Sequence, residues 1–279
     1  MNRKVKFVKA GTPVMEGAGV RVIRMLNNQD VYNFDPFLML DAFDSENPSE
    51  YIKGFPWHPH RGIETVTYLL EGEIEHGDSL GNKGTIYNGD CQWMTAGSGI
   101  IHQEMPKPTE RIRGLQLWLN LPAKDKMTHP QYRDITANHI PIVNKEGYQV
   151  RVIAGEYDTV KGAMQADYVP ARFLDITIEA NQKIHIPTPT HHTVFVYCVE
   201  GTIAFDDSDT YYKDRHVMLF TEGDVLTINT QSKGARIILF EAPPLNEPIA
   251  WGGPIVMNTR EELHHAFDEL DKGTFIKHS

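Results

Sequence analysis

Two cysteines in 279 residues, Cys91 and Cys198, are too few and too far apart to frame a disulfide-rich secreted scaffold. A reducing, cytoplasmic setting is therefore expected. Positive charge is also short: 27 Lys and Arg against 37 Asp and Glu give a formal charge of −10 without a long block of one sign. Such a balance speaks for solubility and against a phosphate-binding surface, so no direct nucleic-acid partner is expected. No run approaches the ~18 apolar residues of a membrane span, and the basic start MNRKVKFVKAGTPV lacks the apolar stretch of a secretory signal. No membrane association is expected either.

Helical periodicity is scarce as well. It appears once, where Leu263, Phe267 and Leu270 fall at i, i+4 and i+7, with Thr259 and Glu262 spaced as a capping box. This helix is expected to stop at Lys272-Gly273 and to need a surface to lie on, because a short amphipathic helix is marginal alone.

What fills the chain instead is short β-rich segments punctuated by Gly, Pro, Asn and Asp, among them ETVTYLLEG, LQLWLN, YQVRVIAGE, TVFVYCVEG and ARIILFEAP. That pattern predicts an all-β protein of barrels or sandwiches. An internal repeat divides it: LLEGEI (69–74) and YNGDCQWMTAGS (87–98) are echoed by CVEGTI (198–203) and FTEGDVLTINTQS (220–232). Two copies of one barrel unit follow, and the polar stretch from about Lys124 to Pro141 reads as the linker.

Chemistry concentrates in the first copy. His58 and His60 are i and i+2 in FPWHPHRGIETVTYLLEG, so on a strand they share a face, roughly 6–7 Å apart. Pro59 cannot donate to a ladder and puts the pair at a strand start or edge, and Gly62 is a candidate bulge. If parity continues past it, Val66, Tyr68 and Leu70 face the same interior as the histidines. A second i, i+2 pair, His102 and Glu104, follows the glycine-rich TAGSGII. Two such pairs on neighbouring strands would offer three imidazoles and one carboxylate, a set that suits iron, manganese, nickel, cobalt or copper. A divalent ion held so keeps one positive charge and favours a chelating monoanion such as an enolate.

Carrying the repeat offset onto the second copy lands on Pro187 and Pro189 for the first pair and on Arg236 and Ile238 for the second, so only the leading copy is expected to hold a metal. Glu64 reads as an Arg61 partner or as a residue supporting the ligands, with direct ligation as the alternative. His76 reads as part of a hairpin end, and the adjacent His191 and His192 would face opposite ways. Phe55, Trp57, Trp93, Met94 and Trp118 could line an aromatic pocket, with ordinary core packing as the alternative. Cys91 reads as a buried thiol.

The stretches NFDPFLMLDAF (33–43), HPHRGIETVTYLLEG (58–72), HGDSLGNKG (76–84), GDCQWMTAGSGIIHQEMP (89–106), GLQLWLNLP (114–122) and LNEPIAWGGPIVMNTREEL (245–263) resemble the pirin family of the cupin superfamily over nearly the whole chain. The resemblance implies a bicupin: two packed cupin β-barrels of the double-stranded β-helix, or jelly-roll, type with a short C-terminal helix. The expected bounds are a metal-holding barrel over 1–130, a second barrel without in-register ligands over 131–245, and a closing segment over 246–279 that packs back on the first. It implies one metal, usually iron(II), on His58, His60, His102 and Glu104, and it moves Glu64 to a supporting place.

The activity implied by the resemblance is that of a quercetin 2,3-dioxygenase. Glu104 would act as the base that removes the flavonol 3-hydroxyl proton, with dioxygen adding across C2 and C4. A different enolisable substrate is a close variant of this expectation. The alternative is a non-catalytic metal-binding regulatory protein acting through a protein partner.

Overall fold

A computed structural model of the chain, describing residues 1–206 and 208–278, consists largely of antiparallel strands, with one long helix near the end. The all-β expectation is met. Among the described residues, no helix is long and apolar enough to cross a membrane. The chain divides into two compact units: Pro13–Ala137 with Leu245–Ser279, and Met1–Thr12 with Asn138–Pro244.

The second of these units holds a nine-stranded sheet whose interior is packed with apolar side chains, and a small two-stranded one. Its long strands Thr193–Phe205 and Val225–Ala242 carry the repeat, and Ile184, Ile186, Ile237 and Leu239 fill positions around those to which the repeat carries the first-copy histidines. Residues Met1–Thr12 join it because the strand Val5–Ala10 pairs with His216–Phe220. Both cysteines of the chain are buried, and neither is in a disulfide.

The first unit holds a seven-stranded and a four-stranded sheet. Strand Phe55–His60 belongs to the smaller sheet and Ile63–Glu71 to the larger, and Gly62 turns the chain between them at φ +77°. Glycine reaches that region without a side-chain clash. The parity argument stops at this turn. Thr67, an odd-numbered residue, is the one from the second strand that reaches the pocket, where continued alternation would bring Val66 and Tyr68.

The stretch read as a linker is more ordered than its polar composition suggests. Its Gln131–Ile135 forms an edge strand on Cys91–Thr95, with alternate residues Tyr132 and Asp134 opposite Met94 and Gln92.

The helix Arg260–Asp271 has the expected capping box, in which Thr259 takes the Glu262 amide and the Glu262 carboxylate takes the Thr259 amide. It ends with Lys272 as its cap, followed by Gly273 at φ +69°. Leu263, Ala266 and Leu270 pack with Ile255, Met257 and Phe275. Phe267 stays partly exposed, lying over Gly252 instead of joining that stripe.

Candidate metal centre

The pairs His58/His60 and His102/Glu104 meet because their strands are neighbours. Phe55–His60 pairs antiparallel with Ile100–Pro106, placing His58 opposite His102 and His60 opposite Ile100. On its other edge Ile100–Pro106 pairs with Ile74–Asp78, which puts His76 opposite Glu104 and Asp78 opposite His102. The alternation of the middle strand buries Ile100, His102 and Glu104 on one face.

The three imidazoles converge. Ligand nitrogens of His58, His60 and His102 lie within 4.8 Å of one another. Their ring centroids are 4.4 Å (His58–His102), 4.8 Å (His58–His60) and 5.0 Å (His60–His102) apart.

Backbone carbonyls set two of the rings. His58 Nδ1 is 2.9 Å from the Pro56 carbonyl, and His60 Nδ1 is 3.2 Å from that of Pro254. Neutral imidazoles that donate Nδ1–H to these oxygens keep an unprotonated Nε2 for a cation. Burial, helped by the neighbouring His58, pushes His60 down to about 3. Burial also holds His102 well below the ordinary value, with His60 and His58 adding to the effect.

His102 supplies the test of fit. It is fully buried, and neither ring nitrogen has a hydrogen-bond partner. An imidazole stranded in this way costs free energy that a coordinated ion would offset. A donor set of three neutral, converging imidazoles fits a single divalent transition-metal ion.

Glu104 lies two residues beyond His102 on the same buried face and lines the same pocket as His58 and His60. Its Oε1 is 2.9 Å from the Thr67 hydroxyl, whose oxygen is 2.5 Å from Gln116 Oε1. One hydroxyl proton cannot serve both oxygens. The contact therefore needs either the Gln116 amide turned to present its NH2, or a protonated Glu104. Burial raises the Glu104 pKa, while His58 and the Thr67 hydrogen bond oppose the rise.

The pocket in front of these groups has a volume of about 770 Å³. Phe55, Trp118 and Trp251 give it aromatic walls, Trp118 standing edge-on to His60 at 5.0 Å and 5.8 Å from Trp251. At another part of the wall Arg24 binds both Asp41, at 2.7 and 2.9 Å, and Glu16, at 2.8 Å.

Several expectations for surrounding residues change. Phe55 and Trp118 line the pocket, but Trp57 is 53% exposed and Met94 and Trp93 are fully buried, none of them on its wall. Trp57 comes directly before His58 and so faces the other way, and Met94 belongs to an apolar cluster with Ile63 and Ile100. Glu64 is fully buried and takes the Thr95 hydroxyl at 2.7 Å, while Arg61 goes to Glu269 at 2.7 Å. Glu64 is not on the pocket wall.

His76 is in mid-strand and buried, not at a hairpin end. Its Nδ1 pairs with the Tyr132 hydroxyl, and its Nε2 is 3.2 Å from Asp134. The i, i+2 spacing of His76 and Asp78 carries the same signal as the two candidate pairs His58/His60 and His102/Glu104. Trp251 could not have been found by spacing, because it reaches the pocket from a segment far along the chain. His191 and His192 go to different acids, Glu222 and Glu241, each at 3.1 Å.

The chain is similar to known proteins along its whole length. Residues 19–119 match the Pirin family, and residues 173–276 match the Pirin C-terminal cupin domain. A pirin-like protein of Solanum lycopersicum is 43% identical over 92% of this chain and 88% of its own. The crystal structure of a quercetin 2,3-dioxygenase from Acinetobacter baumannii superposes with a TM-score of 0.91 at 34% identity, covering 99% of both chains. A bacterial pirin from Escherichia coli, solved in complex with nickel(II), shares the fold at TM-score 0.66 and 19% identity, over 85% of this chain and 99% of its own. With both halves matched in order and a full-length relative above two-fifths identity, the chain belongs to the pirin family and is built of two cupin domains.

Proposed function

We propose that this chain is a metal-dependent dioxygenase of the quercetin 2,3-dioxygenase type, with iron(II) as its resident ion and a flavonol or similar small enolisable molecule as substrate. The observation that carries the reading is His102, buried with two unpartnered ring nitrogens and clustered with two imidazoles that line a large pocket. Likeness to the Acinetobacter baumannii quercetin 2,3-dioxygenase supports the reaction type.

His58, His60, His102 and Glu104 would hold the ion, which when bound supplies Lewis-acid stabilisation of an enolate and a redox-active centre for dioxygen. The side chains supply the remainder. Glu104 is the base: its buried carboxylate lines the pocket beside the imidazoles, where the reacting hydroxyl of a bound substrate would come. It takes the substrate's 3-hydroxyl proton and returns it to the product. Thr67 fixes the carboxylate by its contact with Oε1. Phe55, Trp118 and Trp251 orient a flat ring system and keep bulk water from the proton held on Glu104.

The test is incubation with quercetin with and without oxygen, following the flavonol absorbance and carbon monoxide. Oxygen-dependent cleavage is expected. His58→Ala and His102→Ala should lose bound metal and turnover together, whereas Glu104→Gln should keep part of the metal and lose turnover. Absence of oxygen-dependent cleavage with iron, manganese, nickel, cobalt and copper each loaded in turn would replace this reading with the regulatory one.

A further inference from the structure

His60 and Arg61 are successive residues with opposite tasks. His60 lines the pocket, while Arg61 is 1% exposed and directed to the C-terminal segment. Its Nη1 is 2.7 Å from Glu269 Oε2, its Nη2 2.9 Å from the Phe275 carbonyl, and its Nε 2.7 Å from the Ser98 carbonyl. The guanidinium carbon also lies 4.2 Å over the Phe275 ring. Glu269 and Phe275 therefore grip the residue that follows a candidate ligand.

The C-terminal segment returns to this point by a second route. Its hairpin, Ala250–Gly252 and Ile255–Met257, docks beside Arg61: the Val256 amide donates to the Arg61 carbonyl at 3.1 Å. Lys126 Nζ bridges the Gly62 and Val256 carbonyls at 2.8 and 2.9 Å. The hairpin turn carries Pro254, whose carbonyl is 3.2 Å from His60 Nδ1. Trp251, Gly253 and Pro254 of the same hairpin line the pocket.

A buried Arg–Glu pair is a poor device for stability alone, since apolar residues of similar size often do as well or better. What the fork of Arg61 supplies is direction. It fixes one register of the segment through two acceptors that a sliding apolar contact would not distinguish. That register is the one that places the Pro254 oxygen at His60.

We propose that Arg61 and Glu269 are positioning residues for the metal centre, locking the C-terminal segment where Pro254 orients His60 and thereby setting how long the site retains its ion. The inference rests on the assignment of His60 as a ligand. Residues that orient ligands from behind typically change metal affinity about 10- to 100-fold when altered.

The experiment loads full-length protein with nickel(II), chases it with excess EDTA and follows metal release. The 15N shift of His60 Nδ1 and the melting temperature of the metal-free protein are read alongside. Glu269→Gln should release nickel about tenfold faster or more and move the His60 shift. The double variant Arg61→Met/Glu269→Leu removes the unpaired guanidinium charge but also the donors to the Ser98 and Phe275 carbonyls, so it should recover part of the thermal stability lost by Glu269→Gln yet still release nickel quickly. Wild-type release by Glu269→Gln, or a return to wild-type release by the double variant, would overturn the inference. A wild-type protein that takes up no nickel(II) would instead overturn the metal assignment, and this inference with it.

Discussion

The hydroxyl of Thr67 lies 2.9 Å from a carboxylate oxygen of Glu104, although the two residues stand on strands of different sheets. Gly62 makes this meeting possible by turning the chain between the sheets and resetting which residues face inward. Thr67→Val keeps the shape and removes the hydroxyl, leaving a buried carboxylate oxygen with one partner fewer. Losing such a partner costs roughly 1–3 kcal/mol, or about five- to 150-fold in rate if felt in the transition state. The expected outcome is a loss of flavonol turnover in that range, with metal stoichiometry unchanged by elemental analysis.

The histidine pairs were legible because i, i+2 spacing is the one strand relationship that survives without knowledge of register. His58, His60 and His102 are brought together as that spacing implied. Pocket residues were not legible, because a pocket wall is assembled from several strands and its membership depends on register and on turns such as Gly62. Trp57 and Trp118 are the same residue type near the same site, yet one is exposed and the other lines the pocket. The helix was legible through its capping box, a local signal. Glu269, whose role depends on Arg61 some two hundred positions earlier, had no local signal at all.

The stranded ring of His102 predicts a trade between function and stability. With both nitrogens buried and unpartnered, the metal-free protein carries an uncompensated polar group. His102→Leu removes it while keeping bulk in the core. The metal-free variant should be about 1 kcal/mol more stable than the metal-free wild type in denaturant unfolding. It should also bind no metal, so that adding nickel(II) raises the melting temperature of the wild type alone.

Lys126 predicts a pH dependence. Desolvation lowers its pKa from 10.5 to about 7, with Glu247 and Glu262 opposing the shift. Its three contacts, to the Gly62 and Val256 carbonyls and Asn120 Oδ1, also favour the ammonium, but burial is the larger influence. A lysine whose folded pKa lies below its unfolded value binds more protons when unfolded, so stability rises with pH through this window. Between about pH 7 and 10.5 the wild type should gain up to about 1.4 kcal/mol per pH unit from this group. Unfolding free energies of Lys126→Met across the same range should lack that rise.

Gly62 offers a measurement of the docking contact itself. An added Cβ would lie 2.0 Å from the Val256 carbonyl oxygen, and the residue also sits at φ +77°. Gly273 shares the strained backbone, φ +69°, but has open space where its Cβ would go. Gly273→Ala should therefore cost only the backbone term, about 1 kcal/mol. Gly62→Ala pays the same term and must also push the Val256 strand away, for a total of about 3 kcal/mol or more. Because Val256 belongs to the hairpin that carries Pro254, the second loss should come with faster nickel(II) release, and the first should not. Equal losses in the two variants would mean that the hairpin yields freely and that its contact with Gly62 contributes nothing to holding His60.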